Sequence, residues 1–111
     1  MSEAAPAGSS RPVPTRLSDV ETRERLARLP GWAVEGAELV RVFTFKNYYQ
    51  TTAFVNAVVW IAHAADHHPD ISFGYKTCSI RYTTHEAGGL SEKDFVCAEK
   101  IDALLGESRG S

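Results

Sequence analysis

The sequence predicts an α+β fold in a single domain, ordered α-β-β-α-β-β-α, with a four-stranded antiparallel sheet and three helices on one face. Three observations predict it. Apolar residues Phe54, Val55, Val58, Ala62 and Ala65 recur at three- and four-residue steps, the period of an amphipathic helix. On either side lie segments rich in β-branched and aromatic residues, each paired with a second such segment across a short polar turn. Ser18 with Glu21, and Ser91 with Asp94, carry the spacing of a helix-starting capping box.

Residues 1–16 are dominated by Ala, Pro, Gly and Ser, a composition that buries little apolar surface, so a disordered N-terminal tail is expected. Residues 17–106 form the predicted domain and 107–111 a short C-terminal tail. The first helix starts at the Ser18 capping box, turns Leu26 and Leu29 inward, and is stopped by Pro30-Gly31. Residues 32–34 and 39–45 read as a hairpin about a turn at 35–38, with Leu39, Arg41, Phe43 and Phe45 on one side. The second helix begins near Tyr49. Pro69 disfavours helical geometry at His68, so this helix should end at or just before the His67-His68 pair. Residues 71–75 and 77–83 read as a second hairpin turning near Lys76. After a loop at 85–89, the Ser91 capping box, flanked by Leu90 and Phe95 as a hydrophobic staple, opens a last helix. That helix places Phe95, Ala98, Ile101 and Leu105 on one face and stops at Gly106.

The totals exclude several function classes. With 111 residues, 43% hydrophobic and 23% charged, the chain has the composition of one soluble domain with a modest core. Net charge is −2, so no basic surface argues for nucleic acid or an anionic membrane. The longest apolar stretch, 57–65, is interrupted by His63 and is too short to span a bilayer. The N-terminus lacks the apolar core of a signal peptide, and a cytoplasmic location is expected. Cys78 and Cys97 sit in apolar-patterned segments and read as buried reduced thiols.

The four histidines, His63, His67, His68 and His85, occupy one short stretch and none occurs elsewhere. Histidine exchanges protons near neutral pH, so this clustering points to acid–base chemistry. His63 and His67 share a helical face and could hold a metal with His85, but no zinc-protease glutamate lies between them. They could equally be exposed or helix-capping residues. Asp66 and Glu86 flank the histidines and could orient an imidazole.

Asp66-His67-His68-Pro69, then Tyr75, then Thr84-His85 followed by Gly89-Leu90-Ser91 and Asp94, closely resembles the pterin-4a-carbinolamine dehydratase family. The resemblance runs from Gly31-Trp32 onward and includes the Phe43-x-Phe45 strand. It implies an active site at His67, His68 and His85, loss of water from 4a-hydroxytetrahydropterin to give quinonoid dihydropterin, and no metal or redox cofactor. His67 and His85 are expected as the acid–base pair, with His68 orienting the pterin. The flat substrate needs an apolar wall, for which Trp32, Phe73 and Tyr75 are candidates. Asp66 and Asp94 are expected to contact substrate, although Asp94 also reads as the capping partner of Ser91.

The chain departs from the family pattern at His63, where better-known members carry Glu, and at Ile71, where some carry Trp. Partners expected are a small-molecule pterin and a second copy of the chain, as homodimer or homotetramer, because a one-layer sheet leaves a bare face and open edges. The competing reading is a non-catalytic binding, assembly or transcription-coactivator module, roles that relatives in the family also serve.

Overall fold

A computed structural model describes residues 13–106. The elements are α1 (Asp19–Leu26), β1 (Ala33–Glu35), β2 (Glu38–Thr44), α2 (Tyr48–Ala65), β3 (Asp70–Phe73), β4 (Thr77–Tyr82) and α3 (Glu92–Leu104), with a 3-10 turn at His85–Ala87 before α3. All four strands join one antiparallel sheet in the order β1-β2-β4-β3. The α+β architecture is therefore the one the sequence predicts. Of the expected tails at 1–16 and 107–111, residues 1–12 and 107–111 lie outside the described residues.

Local chemistry sets the helix ends. Ser18 Oγ accepts the Glu21 N–H at 3.1 Å while the Glu21 carboxylate accepts the Ser18 N–H at 2.8 Å, closing the capping box of α1. Those bonds hold the Glu21 carboxyl below its ordinary range. Asn47 caps α2 by accepting the Gln50 N–H at 2.9 Å. In α2, Thr51, Phe54, Val58 and Ala62 form the buried stripe. Burying such a large apolar side chain is worth about 1.5–3 kcal/mol, against about 1 kcal/mol for a cap, so packing rather than capping holds α2 in place.

The register places Leu39 opposite Tyr82 and Phe43 opposite Cys78, so these side chains share the inner face of the sheet. They pack with Phe54 and Val58 from α2 and with Phe95, Ala98 and Ile101 from α3. Arg41 is also on that face and would be an unpaired charge in the core. Its Nη1 instead donates to Asp102 Oδ1 at 3.0 Å, and the same oxygen accepts Trp32 Nε1–H at 2.9 Å. Gly31 makes room for this: a Cβ there would sit 2.5 Å from Arg41 Cζ.

The opposite face is polar or open, and Val42 on it is 60% exposed. Val40 shares that face yet is buried. Arg81 accounts for this, reaching from β4 over β2 to Glu38 at 2.9 Å and Glu35 at 3.2 Å, so its aliphatic stem covers the valine. Two details differ from the sequence reading. Tyr75 falls in the turn between β3 and β4 rather than in a strand. Leu105 caps α3 and is exposed, because Gly106 at φ +76° turns the chain away before a further helical turn can bring it inward.

Candidate active site

The end of α2 decides where the histidines go. Asp66 adopts the left-handed conformation (φ 52°, ψ 43°), the single non-glycine residue with positive φ among those described. Its N–H donates to His63 O at 3.2 Å, and the His67 N–H donates back to Ala62 O at 3.1 Å. This is the paired-bond C-terminus usually built with glycine, and aspartate tolerates the left-handed geometry better than most residues. The reversal turns His67 inward, where it is 8% exposed, and leaves His68 exposed beside it. Two adjacent, identical side chains thereby enter different environments.

His67 Nε2 lies 2.6 Å from Asp94 Oδ1. Asp94, the N3 residue of α3, is fully buried, and its other oxygen, Oδ2, accepts the Thr84 hydroxyl at 2.8 Å and the Ser91 N–H at 2.9 Å. Thr84 Oγ1 in turn lies 2.8 Å from Ser91 Oγ, which accepts the Lys93 N–H at 3.2 Å. The His67 ring stacks on Tyr82 with centroids 5.1 Å apart and planes 22° apart. Burial pushes the Tyr82 phenol well up, with the adjacent Cys97 and Asp94 adding to the rise, and the Tyr82 hydroxyl is buried without a hydrogen-bond partner. Burial also pushes the Cys97 thiol up. Both cysteines are buried and reduced.

In front of His67 opens a cleft of about 780 Å³ between the C-terminus of α2 and the N-terminus of α3. Asp66, His67, Glu86 and Lys93 line it, and Val13, Pro14 and Leu17 form its apolar side. The Leu17 N–H donates to Leu90 O at 2.8 Å, which fastens that segment beside the cleft. Among the described residues, the carboxylates of Asp66, Glu86 and Glu92 and the ammonium of Lys93 are in the lining. His85 lies exposed in the 3-10 turn, next in sequence to Glu86.

The other sequence-predicted positions lie elsewhere. Trp32 is 4% exposed in the core, in edge contact with Phe43, and does not line the cleft. Tyr75 is 69% exposed and stacks on Tyr48 at 5.8 Å. Among the described residues, no group of three or more His, Cys, Asp or Glu side chains comes together as metal ligands. The sequence reading had Ser91 as the capping partner of Asp94, which the structure shows, but it missed Thr84 as a further partner, although Thr84 precedes His85 in the recognised motif. It also missed the cleft wall at Val13, Pro14 and Leu17, because composition describes what a segment can bury and not what it lies beside.

Comparison with known proteins bears on what this arrangement does. A Nitrosospira multiformis protein named "Putative pterin-4-alpha-carbinolamine dehydratase" is 57% identical over 89 residues, covering 80% of this chain and 79% of that protein. A Stenotrophomonas maltophilia (strain R551-3) protein of the same name is 50% identical over 111 residues, covering 94% and 96%. A transcriptional coactivator/pterin dehydratase from Brucella melitensis superposes with a TM-score of 0.79 at 32% identity, covering 83% of this chain and 100% of that one. A pterin dehydratase-like protein described as a RuBisCO assembly factor in the α-carboxysome superposes at 0.57, with 30% identity over 68% of this chain and 87% of that one. The family model for pterin 4 alpha carbinolamine dehydratase matches residues 15–104, a span that runs from the cleft wall to the end of α3. Fold, histidine motif and these matches agree, and the chain belongs to the pterin-4-alpha-carbinolamine dehydratase family.

Proposed function

We propose that this protein removes water from a 4a-hydroxytetrahydropterin by histidine acid–base catalysis, as one step in recycling a tetrahydropterin such as tetrahydrobiopterin. The observation that carries the reading is the histidine held on a buried carboxylate at the mouth of an open cleft, in a chain of this family. In the substrate the hydroxyl sits on C4a beside N5–H. The N5 lone pair forms the C4a=N5 bond as the C4a–O bond breaks. One proton goes to the departing hydroxyl and one leaves N5, so the products are water and quinonoid dihydropterin. The nitrogen supplies the push, and two imidazoles, the side chains that exchange protons most readily near neutral pH, are suited to move the protons, an effect worth about 10²–10⁴-fold.

His67 and His85 are assigned as the acid–base pair, and His68 as the group that orients the ring. Asp66 and Glu86 line the cleft on the side proposed for the N–H donor edge of a pterin, and Val13, Pro14 and Leu17 offer its flat face an apolar side. Trp32 and Asp94 act from behind the lining, by packing and by holding His67. The same reading has the protein work in the cytoplasm as a homodimer or homotetramer. No helix among the described residues is long and apolar enough to cross a membrane. Dehydration of freshly generated 4a-hydroxytetrahydropterin, followed against its spontaneous rate, tests the reading. Acceleration is expected, and none from folded protein would favour the non-catalytic assembly role described for the carboxysome relative.

A further inference from the structure

We propose that Thr84 is a positioning residue that fixes which nitrogen of His67 does the chemistry: it locks Asp94 so that Nε2 keeps the proton and Nδ1 is the basic atom facing the cleft. For its kinetic consequence this rests on the dehydratase reading; for the state of the ring it rests on the hydrogen-bond network alone.

The direction of every proton in the network can be worked out. An ionised carboxylate only accepts hydrogen bonds. The Ser91 backbone N–H, which cannot rotate away, donates to Asp94 Oδ2. The single hydroxyl proton of Thr84 is committed to the same oxygen. The Thr84–Ser91 contact of 2.8 Å must then be made by the Ser91 hydroxyl donating to Thr84. Ser91 Oγ uses its remaining capacity to accept the Lys93 N–H. The chain of donors therefore runs one way, from the first turn of α3 through Ser91 and Thr84 into Asp94. With Oδ2 accepting two hydrogen bonds, Oδ1 is turned to His67, and a contact of 2.6 Å with an acceptor-only atom requires the ring to donate from Nε2; Thr84 Oγ1, itself 3.5 Å from Nε2, has its proton on Oδ2 and presents only lone pairs to the ring.

The other ring nitrogen is then settled. When His67 is neutral, Nδ1 carries a lone pair. Among the described residues Nδ1 has no hydrogen-bond partner, and it is not one of the sealed unpartnered atoms, which are Arg25 Nε and the Tyr82 hydroxyl. Nδ1 therefore opens to the cleft that His67 lines. Tyr82 stacks on one face of the ring, with centroids 5.1 Å apart and planes 22° apart, and so packs the imidazole in this plane. Thr84 controls the choice of nitrogen although it does not touch the cleft. Without its hydroxyl, Asp94 Oδ2 keeps one donor, the carboxylate gains freedom about its last torsion, and the Nε2 contact is no longer enforced.

The test is a two-bond proton–nitrogen spectrum of histidine-labelled full-length protein without pterin, under conditions where the ring is neutral, with His67 assigned through His67→Gln. Wild type is expected to show the proton on Nε2. Thr84→Val, nearly isosteric, is expected to show a mixture of tautomers and a kcat lower by about 10- to 100-fold at little-changed KM, by analogy with the effect of removing groups that orient metal-ligating histidines. Thr84→Ser, which restores the hydroxyl, is expected to recover both. A wild-type proton on Nδ1 would overturn the proposal, as would a Thr84→Val protein with wild-type spectrum and kcat. Wild type with the Nε2 proton but no dehydratase activity would sink the proposed function while upholding the assignment of the ring.

Discussion

Asp94→Asn separates the stability of the site from its chemistry. In the wild type, three donors converge on the carboxylate: His67 Nε2 at 2.6 Å, the Thr84 hydroxyl at 2.8 Å and the Ser91 N–H at 2.9 Å. The amide has one oxygen and one NH₂ group. The fixed Ser91 N–H forces the oxygen to the Oδ2 side, where it still accepts from Ser91 and Thr84. The NH₂ then faces His67, which can meet it only by moving its own proton to Nδ1 and accepting at Nε2. Two of three bonds persist in neutral form and the third reverses. Since hydrogen bonds to a charged group are worth about 1.5–3 kcal/mol and neutral ones about 1, each of the three loses about 0.5–2, and the loss of stability should be about 1.5–6 kcal/mol. The rate should also fall, by about 10²–10⁴-fold, because Nδ1 no longer carries a free lone pair. Urea unfolding, dehydration kinetics and the imidazole spectrum would be measured on one preparation. A folded Asp94→Asn protein with near-wild-type kcat would refute the reasoning, whatever its stability.

Three other perturbations probe the rest of the account. Gly31→Ala places a methyl 2.5 Å from Arg41 Cζ, at a guanidinium bonded to buried Asp102. It should cost about 1–3 kcal/mol in urea unfolding with kcat unchanged, and an unaltered midpoint would refute the need for glycine there. Burial raises Tyr82 above its ordinary 10.0, and Cys97 and Cys78 above 9.0. The unfolded chain loses these protons first, so stability is complete below about pH 9 and is lost as pH rises beyond it. Tyr82→Phe should flatten the alkaline decline in urea midpoint, and an identical decline would count against this origin. His63 is exposed one turn before His67, its ring 5.5 Å from Trp60. His63→Glu adds a carboxylate that favours protonated histidines nearby, so the pH optimum should rise by less than about one unit with maximal turnover retained. Superimposable pH profiles would contradict it.

The sequence made the frame legible because the frame rests on local rules. Both capping boxes form as read from Ser18 and Ser91, the helix before Pro69 ends at Ala65, and the two hairpins pair as their alternation requires. What stayed hidden was non-local. The left-handed turn at Asp66 lacks the glycine that normally signals it, so nothing announced that His67 would turn in and His68 out. Asp94 was legible as a cap, but its contact with His67 spans 27 residues and depends on α3 docking against the end of α2. Trp32 and Arg41 meet over Asp102, near the far end of the chain, which no periodicity in either segment foretells. Val40 reads as an outward position, yet it is buried opposite Arg81, its cross-strand neighbour, which reaches across β2 to Glu35 and Glu38.

The central claim is that His67, His68 and His85 dehydrate a pterin carbinolamine. The most direct measurement is the rate of water loss from freshly generated 4a-hydroxytetrahydropterin with wild type, His67→Ala, His68→Ala and His85→Ala, each shown to be folded. The account predicts acceleration by wild type that collapses in the His67 and His85 variants, with His68→Ala chiefly raising KM. Full activity in the His67→Ala protein would contradict it.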